Sequence, residues 1–294
     1  MEISSLLLII NPISGKEEPI LEIASRVFAD SSIKLDIHAL EEGEDVGKLT
    51  QDGALTHQMV AIYGGDGSIT EGASGLIGKT TPLAIIPGGT ANVLSKELNI
   101  PQDTEEALKL IKNGIYNLRR IDTATVNNKP FLLRVNFGLM ADMITDADPE
   151  LKGKIGQLAY GFSAYKSWQN AEVVNYHLVI DGTETPVQAI ALTVTNSGSM
   201  GIGGLQLAQG ILIDDGLLDV VLLKEAGLMS VAGAAGSSLI GKESEAISHW
   251  RCKEISIKLD SAQTYICDDC EATAKEMFIR VIAASLTVVV PKED

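Results

Sequence analysis

The sequence predicts a parallel α/β half followed by a mainly antiparallel β half with helical insertions. Over residues 4–120, apolar runs of strand length alternate with helix-length segments, the signature of βαβ units whose helices cover a parallel sheet. Beyond the helix expected over 104–113 the pattern becomes a succession of strand-like runs interrupted by one helix-length stretch, as in an antiparallel domain. A length of 294 residues fits two compact units, each able to bury its own core.

In the first half the strands read SLLLIINP, IKLDIHAL, QMVAIYGG and PLAIIP, and helices are expected over 17–30, 44–54, 68–78 and 90–98. Three of the four strands run into Gly, Pro or Asn. In open α/β sheets ligands bind beyond the carboxyl ends of strands, so these loops are where chemistry is sought. In the second half, strands are expected over 120–126, 130–137, 174–180, 188–196 and 217–223, with a helix over 156–171. The chain has no repeat or Pro/Ser-rich linker, so the change of pattern alone sets the boundary, near Thr123: domains 1–123 and 124–283. The last strand-like run, 286–291, fits either half.

Composition excludes several classes. An apolar content of 45 %, 4 % aromatic residues and 28 glycines are those of a folded α/β protein rather than a disordered chain. A net charge of −16 and a pI near 4.6 oppose nucleic-acid binding, which needs a basic surface, and constitutive adhesion to an anionic membrane. Arg119-Arg120 and Lys152/Lys154 are local basic clusters, either ordinary solvated charges or an interface for a lipid. No apolar run reaches the ~18 residues of a membrane span, and the opening MEISSLLLIINP is poorly flanked for a signal peptide. Three cysteines make no disulfide framework, and a cytoplasmic location is expected.

Three loops carry the chemistry. Gly64-Gly65-Asp66-Gly67-Ser68 follows an apolar strand and opens a helix, so the backbone approaches a ligand and helical N–H groups face an anion such as phosphate. Pro87-Gly88-Gly89-Thr90-Ala91-Asn92 repeats the design at the end of the next strand. Asn11-Pro12-Ile13-Ser14-Gly15-Lys16 adds an amide, a hydroxyl and an ammonium. Each loop alone also reads as a turn; two glycine loops at neighbouring strand ends favour a ligand site. Neither GxxxxGK[ST] nor GxGxxG occurs at these loops.

In order and spacing, NPISGK, GGDGS with Glu71, PGGTAN with LNIP, Ile121-Asp122, FLLRVNFGLMADM, KIGQLAY over 154–160, Thr195-Asn196-Ser197 and IDDGLLD over 213–219 resemble the motifs of the diacylglycerol kinase catalytic-domain family, over nearly the whole chain. The resemblance implies a nucleotide half similar to those of phosphofructokinases and NAD kinases, a β-rich half forming a cleft with it, and residues 284–294 returning to the first domain. It implies an ATP- and Mg2+-dependent lipid kinase. ATP would lie on Asn11, Ser14, Lys16, Gly64, Gly65, Asp66, Gly67, Ser68, Glu71, Gly88, Gly89, Thr90 and Asn92. Asp66 would act on the magnesium ion, since phosphoryl transfer depends on positioning and charge neutralisation.

The family's Asp-Gly-Glu triplet, placed on a strand, corresponds to Asp269-Cys270-Glu271. Alternate strand residues share a face, so Asp269 is expected as the base, with Glu271 and Asp122 tuning it; without the resemblance the triplet reads as an exposed acidic turn. Asp214, Asp215 and Leu217 correspond to a loop binding structural magnesium through carboxylate and backbone oxygen. The chain departs from the pattern with Ser68 for Thr, Thr70 for Asn, no Pro before Asp214, and Cys270 for Gly. Cys270 also completes His249-x2-Cys252 and Cys267-x2-Cys270, a spacing compatible with zinc; the alternative is cysteines acting as small apolar residues on neighbouring strands. The expected partner is a lipid met in transient contact with a membrane surface; nucleic acid is not expected, and a homodimer is compatible with the sequence. An NAD kinase-like enzyme and a non-catalytic nucleotide-binding regulator are the competing readings.

Overall fold

The computed structural model describes residues 3–16, 18–141, 172–199, 207–224 and 247–292. The helix expected over 156–171, the segment 154–160 and the Lys152/Lys154 cluster lie outside the described residues. The chain divides into two units, Met1–Thr123 with Ala283–Asp294, and Ala124–Ile282.

The first unit runs β1 (Ser5–Ile10), α1 (Ile20–Phe28), β2 (Lys34–Ala39), α2 (Val46–Thr56), β3 (Met59–Gly64), α3 (Asp66–Ser74), β4 (Leu83–Pro87), α4 (Val93–Glu97) and α5 (Thr104–Lys112). Its sheet is parallel in the order β4-β3-β1-β2. β3 and β4 are buried at every position, which is why both are unbroken apolar runs. Helix α1 begins after Pro19 rather than at residue 17, and it buries Ile20, Ala24, Val27 and Phe28 on one stripe. Helices α2 and α5 are capped by Asp45 and Asp103, which accept the Lys48 and Glu106 N–H groups.

The second unit is antiparallel. Strand β5 (Tyr116–Val126) carries the chain into it. There follow β6 (Lys129–Phe131), β7 (Arg134–Gly138), β8 (Val174–Ile180), β9 (Thr183–Ala189), β10 (Ala191–Thr195), β11 (Leu218–Leu223), β12 (Ile247–Cys252), β13 (Glu254–Cys267) and β14 (Cys270–Pro291). The ladder order is β12-β11-β10-β7-β13-β14. A register shift between Lys258 and Gln263 in the β13–β14 ladder separates the part of β13 that pairs with β8 from the part that pairs with β7. Phe137 packs on Tyr265, with ring centroids 5.5 Å apart, and edge-on against Tyr176. Ile255, Ile257 and Ile279 close the same core.

Two expected strands break. The run over 130–137 divides into β6 and β7 because the N–H groups of Leu132, Leu133 and Arg134 turn to the Asp268 carboxylate. The run over 188–196 divides at Ile190, whose carbonyl faces Gly138; a Cβ there would lie 2.5 Å from that oxygen, and φ is +60°.

Strand β14 returns the chain to the first unit, where Val288 pairs in parallel with Leu83 of β4. Within that unit Asp122 Oδ1 accepts the Ala284 N–H at 2.6 Å, Thr123 Oγ1 bonds Ser285 Oγ at 2.8 Å, and the Ser285 carbonyl accepts from Gly78. Ala284 has φ +47°, a left-handed residue that changes the strand's course as it enters the sheet.

Candidate functional site

The two glycine loops lie against each other at the carboxyl ends of β3 and β4. The Gly88 N–H donates to the Gly64 carbonyl at 2.8 Å. A Cβ on Gly89 would stand 2.5 Å from the Gly65 Cα, and one on Gly88 would stand 2.9 Å from both Ser14 Oγ and the Tyr63 ring. No side chain larger than hydrogen fits between the loops at these positions, which is the physical reason for the glycines.

Gly65 caps α3, so the first-turn N–H groups of Asp66, Gly67 and Ser68 head this loop, and such groups have no partner within their own helix. Asp66 Oδ1 accepts the Leu94 N–H at 3.3 Å and ties this loop to α4. Asn92, at φ +50°, closes the second loop on itself: Oδ1 accepts from Gly89 N at 2.9 Å and Nδ2 donates to Gly89 O at 2.8 Å. Thr90 is exposed at its tip.

The first loop joins this pair. Asn11 Nδ2 donates to Ser68 Oγ at 2.8 Å, and the Lys16 N–H donates to Gly88 O. The Lys16 ammonium, expected at the phosphates, instead donates to the Pro87 and Gln102 carbonyls at 2.7 and 2.6 Å; it ties the first loop to the start of the second and to the segment before α5. Glu71, also expected at the nucleotide, accepts the Val46 N–H at the start of α2. Ser14 Oγ is buried and makes no hydrogen bond of good geometry among the described residues, although the Tyr63 hydroxyl is near enough to interact with it. A buried hydroxyl so placed beside glycine loops and a helix N-terminus fits a phosphate group.

Tyr63 and Gln102 were not read from the sequence. The Tyr63 hydroxyl donates to Glu18 Oε1 at 3.0 Å, and burial above all pushes its pKa up to about 12. Gln102 reaches Ser95 and Asn92. Neither stands in a glycine loop, so spacing gave no signal for them.

The carboxylates are placed differently from the strand expectation. Asp268 and Asp269 form the turn between β13 and β14, and Cys267 pairs with Cys270 across it. Asp269 therefore occupies the turn, exposed, and does not alternate with Glu271 along a strand; Glu271 is exposed on β14 opposite Ile266. The residue that anchors this turn is Asp268, at φ +49°. Its carboxylate accepts the Leu132, Leu133 and Arg134 N–H groups at 2.9 Å each, and its own N–H donates to Arg134 O. The signal for it was present: adjacent acids between two strand-forming runs mark a hairpin turn. Asp122 is 1 % exposed, in the first unit, held on Ala284.

The loop at Asp214–Leu217 is closed by the protein's own contacts. Asp215 Oδ1 accepts from Leu217 N at 3.0 Å, and Oδ2 is paired with Arg251, so a cation at Asp215 would have to displace a guanidinium. Asp214 is exposed. His249 bonds Asp219, which is fully buried and whose carboxyl burial pushes above the usual carboxylate range. Among the described residues no three His, Cys, Asp or Glu side chains form a group that could hold a metal ion. Cys252 lies in the β core.

A parallel α/β unit with paired glycine loops at its strand ends is followed by an antiparallel β unit. Residues 5–126 match the model of the diacylglycerol kinase catalytic domain, and residues 134–290 match that of the YegS C-terminal NAD kinase beta sandwich-like domain. The chain belongs to the diacylglycerol kinase catalytic-domain family. It is 28 % identical to a diacylglycerol kinase of Bacillus subtilis (strain 168), over 80 % of this chain and 78 % of that one. It is 32 % identical to a Klebsiella pneumoniae (strain 342) protein named "Probable lipid kinase YegS-like", over 72 % and 71 %. A crystal structure from Bacillus anthracis str. Sterne, whose diacylglycerol kinase name is provisional, superposes with a TM-score of 0.86 at 28 % identity, covering 99 % of this chain and 96 % of that one.

Proposed function

We propose that this protein is an ATP- and magnesium-dependent lipid kinase that transfers the γ-phosphoryl group to a hydroxyl of diacylglycerol or a related lipid. The observation that carries the reading is the apposition of Gly65 and Gly89 beside the N-terminus of α3 and the buried Ser14 hydroxyl. Such a cradle suits a polyphosphate, whose charge is met by helical N–H groups. The names of the relatives in Bacillus subtilis and Klebsiella pneumoniae support a lipid acceptor.

In this reading Ser14, Ser68 and the first turn of α3 hold the phosphates, and Asp66 holds the magnesium ion directly or through water. Magnesium, when bound, neutralises charge on the phosphates. The acceptor oxygen bonds to the γ-phosphorus as the bond to the bridging oxygen breaks. Asp269 accepts the hydroxyl proton. With a net charge of −16, contact with an anionic membrane surface is transient. No helix among the described residues is long and apolar enough to cross a membrane.

The test is transfer from γ-labelled ATP to a panel of lipid alcohols, with NAD included because the second matched domain takes its description from NAD kinases. Label in diacylglycerol or a related alcohol supports the proposal. Label in NAD alone replaces it with an NAD kinase, and ATP binding with no transfer to any acceptor replaces it with a regulatory role.

A further inference from the structure

Cys267 and Cys270 are register partners in the β13–β14 ladder and close the turn formed by Asp268 and Asp269. Residues directly opposed in an antiparallel ladder point to the same face, with Cα atoms about 4.5–5.5 Å apart. That spacing lies within the roughly 4.4–6.8 Å that a disulfide spans. Both thiols are free, and their surroundings differ. Cys270 is exposed. Cys267 is half-buried at the edge of the core that holds Tyr265 and Ala272, and burial first, then the Asp268 carboxylate, pushes its thiol up. One thiol is open to a reagent and the other stands opposite it in the ladder; the raised Cys267 thiol makes the second, intramolecular attack the slower step, and the nearness of the two sulfurs offsets this.

We propose that Cys267 and Cys270 form a reversible dithiol–disulfide site that takes its oxidising equivalents from a low-molecular-weight disulfide and thereby resets the turn carrying Asp269. The Cys270 thiolate attacks one sulfur of the disulfide, and the displaced thiolate takes up a proton from solvent. The Cys267 thiolate then attacks the Cys270 sulfur of the mixed disulfide and releases the second thiol. The protein loses two electrons and two protons, and the reagent gains them as two thiols.

The turn has little slack to absorb this. A disulfide draws the Cβ atoms to about 3.8 Å from about 5 Å in an open ladder. The adjustment falls on Asp268, whose left-handed backbone and three accepted hydrogen bonds fix the turn to the Leu132–Arg134 segment. An effect on phosphoryl transfer rests on the proposed role of Asp269, and a displacement on the order of 1 Å at a reacting group costs up to about a hundredfold in rate.

The experiment treats the full chain with oxidised glutathione. Three readouts follow: mass with peptide mapping, hydrogen exchange at the Leu132, Leu133 and Arg134 amides, and labelled-ATP transfer to lipid. Wild type is expected to lose two hydrogens, to yield a peptide cross-linked between residues 267 and 270, and to exchange the three amides faster. Transfer falls at least about tenfold and recovers with dithiothreitol. Cys270→Ser forms no cross-link and keeps its rate in glutathione, and Cys267→Ser retains a glutathione adduct on Cys270. A stable adduct on wild-type Cys270 without the cross-link overturns the proposal, as does a cross-link that changes neither amide exchange nor transfer. A cross-link with altered exchange, in a reduced protein that phosphorylates no lipid, removes the kinase reading and leaves the dithiol site standing.

Discussion

Asp122 accepts the Ala284 N–H at 2.6 Å, joining the strand that leaves the first unit to the strand that re-enters it. With Asp122 1 % exposed, this is first of all a structural bond. Asp122→Ala leaves the half-buried Ala284 N–H without this acceptor, at a cost of about 1 kcal/mol, and should lower the Tm measured by calorimetry. A variant that melts with wild type and turns over slowly would instead put Asp122 in the chemistry.

The fit between the glycine loops makes a graded prediction. A Cβ on Gly89 would meet the Gly65 Cα at 2.5 Å, whereas one on Gly65 would lie 3.4 Å from the Gly89 Cα. Gly89→Ala should therefore lose about 1–3 kcal/mol of stability to overpacking and most of its ATP affinity. Gly65→Ala should fold normally. Titration calorimetry with ATP on both variants checks the order; equal affinities would remove the cradle from nucleotide binding.

Asp269→Asn preserves size and removes basicity, so turnover should fall by roughly 10²–10⁴-fold while the KM for ATP stays near wild type. Glu271→Gln should slow turnover less, because Glu271 stands on β14 beyond the turn, and the double variant should fall short of the product of the two effects. Wild-type turnover in Asp269→Asn would sink the assignment of the base.

Cys252 is fully buried, and burial above all pushes its thiol up to about 12. An unfolded cysteine titrates near 8.5–9, so the folded state holds its proton across an alkaline window that the unfolded state does not. The contribution to stability is full below the unfolded value and is lost as pH rises toward about 12. Urea unfolding should show stability falling through this range, and Cys252→Ala should flatten the slope. In the native protein at mildly alkaline pH, iodoacetamide should label Cys270 well ahead of Cys252 and Cys267; labelling at equal rates would contradict the burial of the last two.

Much of the first unit was legible because its signals are local. Strands β3 and β4 are apolar throughout and flow into glycine, and periodicity with punctuation places them to within a residue or two. The helices α3 and α4 moved at their starts, where Gly65 and the left-handed Asn92 act as caps; cap geometry is a backbone property that composition reports only in part. In the second unit the hairpin partner β9 was missed, since its alternation of Thr, Glu, Pro and Gln over Thr183–Ala189 is mostly exposed and has little apolar pattern to read.

By itself the sequence determined the order of elements in the first unit, the strand ends that carry glycine loops, and the acidic character of the whole, all set by neighbours along the chain. Tertiary structure decided where the charges go. The Lys16 ammonium went to two backbone carbonyls, Glu71 to the head of α2, Asp215 to Arg251, and Asp268 rather than Asp269 to three backbone amides. The partners in these contacts lie 25 to 136 residues apart in sequence. A buried or half-buried charge takes whichever donor or acceptor the fold brings within reach, and that is settled only when the strands have paired.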